Sequence, residues 1–148
     1  MIAAPPEMES MKLALRDRSN YYKGLLILMG RDRIIDPRER EHLLEAGRIL
    51  GFERRFCEAA IGDLLRNKYL AQDPVTFSKR RIAECFIRDG ILLSLIDSKV
   101  HPHELAWLRS FARANNIAEE WLAAEMQRCM ETEHEASQPI LAALRKCF

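Results

Sequence analysis

The sequence predicts an all-α fold: one compact helical bundle made of two repeated three-helix units, a connecting helix and a C-terminal helix. Three observations carry this. Apolar residues recur at helical spacing through most of the 148 residues. No stretch alternates polar and apolar residues strictly, and no Asn-Gly pair offers a hairpin turn. The third is a repeat: shifted by 65 positions, the chain aligns with itself without a gap.

The alignment pairs Asp32 with Asp97, Ile35 with Val100, Pro37 with Pro102, Glu39 with Glu104, Leu43 with Leu108 and Arg48 with Arg113. Upstream, Tyr21 and Leu26 face Phe86 and Ile91; downstream, Gly51-Phe52 faces Asn116-Ile117, Phe56 faces Trp121 and Ile61 faces Met126. The repeat units span about 21–66 and 86–131, within a single domain covering 11–148. Residues 1–10, with Pro5-Pro6 and no basic-then-apolar pattern, read as a flexible tail and not a secretory signal.

In unit one, Ser19 or Asn20 is a candidate cap for a helix carrying Tyr21, Tyr22, Leu25, Leu26, Leu28 and Met29, which Gly30 ends. Asp36 caps the next helix, Pro37 occupies its first position, and Glu39 completes a capping box. That helix stops at Gly51, where a left-handed residue is wanted. A third helix runs from about Glu53 to Asn67. Asp73-Pro74 marks a turn, and Ser78 to Ile96 is a long helix broken only by Gly90. Unit two continues with Pro102 to Ala114, ending at Asn115-Asn116, then a helix from about Ala118 to Met130; a short helix follows Pro139.

The composition narrows function by exclusion. With 23 Lys+Arg against 22 Asp+Glu, a formal charge of +1 provides no field to steer the chain to nucleic acid. The apolar runs Leu25–Met29 and Ile91–Ile96 are too short to span a bilayer, so no direct membrane insertion is expected. Cys57, Cys85, Cys129 and Cys147 form no C-x-x-C pair and read as buried or idle thiols in a reducing cytoplasm. There is no phosphate loop, no G-x-S-x-G and no H-E-x-x-H, so the chain is not expected to be an enzyme.

The pattern D-x-x-[IV]-x-P-x-E, present twice after an apolar helix, resembles the TerB-like domain of bacterial tellurite-resistance proteins and of DnaJ-like co-chaperones. It stands here as Asp32 to Glu39 and Asp97 to Glu104, and the resemblance covers residues 21 to about 131. The glycine that usually follows the aspartate is replaced by Arg33 and Ser98. The resemblance implies a non-catalytic binding or scaffolding module of a bacterial stress response, with a protein partner it does not name and an oligomeric state it does not fix.

The candidate metal ligands are Asp32, Asp36 and Glu39 in the first hinge and Asp97, His101 and Glu104 in the second. Capping accounts for Asp36, Glu39, His101 and Glu104 without any ligand, each cap being worth about 1 kcal/mol. Asp32 and Asp97 are explained less well, because each follows a helix C-terminus where negative charge is disfavoured. A divalent cation, Ca²⁺ or Mg²⁺ in the first hinge and Zn²⁺ in the second, is the functional alternative, and a weak one, since Ca²⁺ takes roughly six to eight oxygens. A metal-dependent hydrolase with both acidic loops at one site is the catalytic alternative.

Overall fold

The computed structural model describes residues 6–30, 35–66, 73–97, 100–132 and 140–148. In chain order its helices are α1 (Pro6–Met29), α2 (Pro37–Ile49), α3 (Arg54–Arg66), α4 (Arg80–Ser94), α5 (Pro102–Ala114), α6 (Glu119–Thr132) and α7 (Ala142–Cys147), with a 3-10 turn, Leu95–Asp97, closing α4. The described residues contain no strand, and the fold class is all-α. Three helices begin on proline, whose fixed φ suits the first turn and whose missing N–H leaves no donor unsatisfied there.

The duplication is written into the backbone. Helices α5 and α6 start 65 residues after α2 and α3, and α4 ends 65 residues after α1. The same turn links the second and third helices of each unit. In unit one the Phe52 N–H donates to the Gly47 carbonyl at 2.9 Å; in unit two the Ile117 N–H donates to the Ala112 carbonyl at 2.8 Å. The left-handed residue this turn requires is Gly51 (φ 91°) in one copy and Asn116 (φ 57°) in the other. These residue types tolerate positive φ best, the first for want of a Cβ and the second through its short polar side chain.

The core lies where α1 and α4 cross, with α5 packed against both. Tyr21, Phe86 and Phe111 are fully buried, and the last two rings lie 4.6 Å apart. Burial of each such side chain stabilises by about 1.5–3 kcal/mol. The segment 73–79 crosses the middle of α1 and the C-terminal end of α5 and is tied there by side chains. Buried Asp17 accepts the Ser78 N–H at 2.9 Å and also its hydroxyl, while Asn115 bridges the Phe77 N–H (3.0 Å) and the Val75 carbonyl (2.9 Å).

Three expectations are corrected. Residues 6–10 are helical, and Ser19 and Asn20 lie inside α1 instead of capping it, because the helix runs unbroken from Pro6. Asn20 serves tertiary structure, its amide donating to the Thr76 carbonyl at 2.9 Å. The thiols are not all idle: Cys85 and Cys147 form a disulfide joining α4 to α7, while Cys57 and Cys129 are buried and take no part in a disulfide. The reading of all four cysteines as thiols thus fails at Cys85 and Cys147. Among the described residues no helix is long and apolar enough to cross a membrane.

The disulfide is one of several fastenings on α7. Arg145 pairs with Glu45 at 3.2 Å, an Arg81 guanidinium N–H donates to the Lys146 carbonyl at 3.2 Å, and the Phe148 ring meets that of Tyr21 edge-on at 5.5 Å. Backbone N–H groups of Leu144 and Ala143 approach Asp89. That carboxyl is fully buried and accepts the Tyr21 hydroxyl at Oδ2, with Oδ1 outside full hydrogen-bonding geometry.

Candidate functional site

Asp36, His101 and Glu104 serve as helix caps, and the full capping box expected in both hinges is formed in the second. Asp36 is the N-cap of α2, its Oδ1 accepting the Arg38 N–H at 2.7 Å. His101 is the N-cap of α5; Glu104 Oε1 accepts its backbone N–H at 2.9 Å and Oε2 accepts the Ser94 hydroxyl at 3.1 Å. The His101 and His103 rings stack at 5.5 Å. Glu39 is half-buried at the third position of α2. Asp32 and the side chain of Asp97 lie outside the described residues, so the shared site required by a hydrolase falls there as well. Among the described residues no three His, Cys, Asp or Glu side chains gather as a metal would need.

A different site appears when the two units are compared position by position. In unit two the space between α4 and α6 is filled by the largely buried Glu125, which pairs with Arg88 (2.8 Å) and with Arg128. The Arg88 guanidinium lies over the Trp121 ring, 5.7 Å from its centroid. Two cations beside Glu125 hold its carboxyl below the usual range although burial acts in the opposite sense.

The counterparts in unit one are Lys23 for Arg88, Phe56 for Trp121, Ala60 for Glu125 and Asp63 for Arg128. The cation and the aromatic are kept; the plug is gone. What remains is a recess of 230 Å³ between α1 and α3, walled by Tyr22, Leu26, Phe52 and Leu64 with Lys23 and Asp63 at its rim. Phe56 is 56% exposed at its mouth, in ring contact with Phe52 at 5.4 Å. Asp63 is met by Arg66 at 3.1 Å, whereas no carboxylate among the described residues pairs with Lys23. The floor is closed by the Tyr22 phenol, whose proton burial and the neighbouring Cys57 hold firmly in place.

The sequence contained this signal. The offset that aligns Phe56 with Trp121 also aligns Ala60 with Glu125 four residues on, but only the spatial pairing of Glu125 with Arg88 shows what the alanine leaves out. A second apolar groove, of 540 Å³, runs between α5 and α6 over Leu105, Leu122, Met126 and Met130. No protein-family model matches the chain, and no curated protein or solved structure is detectably similar to it.

Proposed function

We propose that this chain is a non-catalytic protein-binding module whose α1/α3 recess receives an amphipathic partner segment with an acidic side chain flanked by apolar ones. The supporting observation is the substitution of Ala60 for Glu125 between the two copies of one architecture. The second copy supplies the carboxylate itself; the first retains a cation, Lys23, and an exposed aromatic, Phe56, around an empty apolar space. Helix-in-groove recognition uses such elements: apolar anchors for affinity and a rim charge for orientation. The TerB-like resemblance adds that the partner would belong to a bacterial stress-response assembly.

The test fills the recess as unit two does. A displayed library of helical peptides is selected on the wild-type chain and rescored on Ala60→Glu and Lys23→Glu. Selected peptides are expected to carry a Glu or Asp between apolar positions three and four apart, to bind Ala60→Glu at least about tenfold more weakly, and to lose several-fold on Lys23→Glu. Enrichment of no peptide that distinguishes Ala60→Glu from wild type, with that variant folded, rejects the proposal.

A further inference from the structure

Helix α1 has a portion with no counterpart in the second unit. Helix α4 begins at Arg80, which aligns with Leu15, so Pro6 to Ala14 extend beyond the repeated architecture. The extension projects freely: every residue from 6 to 16 is exposed, and the first buried side chain is that of Asp17. At 1.5 Å per residue the arm is about 16 Å long.

Its composition is not that of a solvated helix. Met8, Met11 and Leu15 are 49%, 72% and 61% exposed. Their spacing of three and four residues puts them on one face as a continuous apolar seam. Charge is sorted along the same arm. Glu7 and Glu9 lie in its N-terminal turn, and Lys12, Arg16 and Arg18 lie toward the body. Among the described residues no ion pair engages Glu7, Glu9, Lys12 or Arg16. A helix this short, exposed along its whole length, lies below the length at which helices are stable alone, though continuity with the rest of α1 spares it nucleation.

We propose that the arm is a homodimerisation element: the arms of two copies pair antiparallel through Met8, Met11 and Leu15. Orientation follows from the charge order. Parallel overlap would set acid beside acid and base beside base. Antiparallel overlap lays the acidic end of each arm along the basic end of the other; with Met8 facing Leu15 of the second copy and Met11 beside its own counterpart at the two-fold, Glu9 comes within about 3 Å of axial rise of Arg16 of the second copy. One patch serves both copies, as two-fold symmetry requires. The seam is short, so association is weak, in a micromolar or higher range, and weakens further with salt.

Sedimentation equilibrium of the full chain from about 10 µM to about 500 µM tests this at low and high salt. The average mass is expected to rise from 17.2 kDa toward twice that value. Met11→Glu should hold the chain monomeric. Glu9→Arg and Arg16→Glu should each weaken self-association by roughly threefold to tenfold, while an equimolar mixture of the two, or the double variant, recovers it. All three substitutions lie on exposed positions, and an unchanged melting temperature confirms folding. A chain that stays monomeric throughout, or a dimer indifferent to Met11→Glu, overturns the proposal. So does a monomer whose arm instead binds anionic phosphatidylserine vesicles in a manner abolished by Met11→Glu.

Discussion

Tyr21 donates its hydroxyl to Asp89 across the crossing of α1 and α4, and the same crossing holds the repeat-related contact of Phe86 with Gly24. Phe86 stands 65 residues after Tyr21, and Asp89 65 after Gly24, so the two contacts are mates under the internal symmetry. In one, a bare aromatic edge lies on a glycine. In the other, the aromatic carries a hydroxyl and the glycine's place is taken by a carboxyl that can accept it.

The carboxyl makes stability depend on pH. Burial pushes Asp89 up to about 7, against the opposing pull of the Tyr21 hydroxyl, the α7 N–H groups and Arg88. A carboxyl raised in the folded state favours the protonated form, so its stabilising share is full below its unfolded value and is lost as pH rises through about 7. Urea unfolding from pH 4 to pH 8 should show this loss, of order 2–4 kcal/mol. Asp89→Asn should flatten that dependence and be the more stable protein at pH 8; an unaltered profile would count against the assignment.

At the mate contact the limit is space. A Cβ on Gly24 would lie 2.7 Å from Phe86 Cε2 and 2.8 Å from Cζ. Gly24→Ala should therefore destabilise by about 1–3 kcal/mol, as overpacking does. Chemical denaturation with a near-ultraviolet probe of Trp107 measures it, and pairing with Phe86→Leu should recover part of the loss.

The two left-handed turns predict opposite responses. Gly51→Ala forces a Cβ into φ 91° and should lower stability by about 1 kcal/mol. Asn116→Gly relaxes the same position in unit two and should stay within about 0.5 kcal/mol of wild type. Equal losses at both sites would contradict the shared turn.

Capping predicts the behaviour of the hinges toward metals. Asp36→Ala should lower stability by about 1 kcal/mol by the same amount in excess chelator and in millimolar Ca²⁺, Mg²⁺ or Zn²⁺. A metal-dependent difference between wild type and Asp36→Ala in calorimetric titration would instead return the first hinge to the list of ligand sites.

Reduction should act first on the C-terminal helix. The Cys85–Cys147 bond closes a loop between positions 62 apart in sequence. Cys147→Ser should lower stability by about 2–4 kcal/mol. Hydrogen exchange should quicken at Ala143 and Leu144 before it changes in α1 or α5.

The helices were legible because their stops and starts are chemical: Pro37 and Pro102 begin the helices read from them, and Gly51 and Asn116 end their turns in the expected conformation. The start of α1 was hidden, since Ser19 and Asn20 are good caps locally and only the absence of a break after Pro6 overrules them. The disulfide was hidden for a different reason. Cys85 and Cys147 are far apart in sequence and meet only because α7 folds back on α4. Asp36, His101 and Glu104 stand out in the sequence by their chemistry and cap helices in the structure, whereas the recess is marked by a missing side chain at Ala60, which carries no reactive group to betray it.

The Tyr21–Asp89 and Phe86–Gly24 pairs give the two halves a one-way complementarity. Two first halves brought together would bury a phenol against a glycine with no acceptor, and two second halves would bury a carboxyl against a phenyl ring with no donor. Each half is thus mismatched with itself and matched with its sister. Separately expressed halves should accordingly prefer the mixed pair over either self-pair.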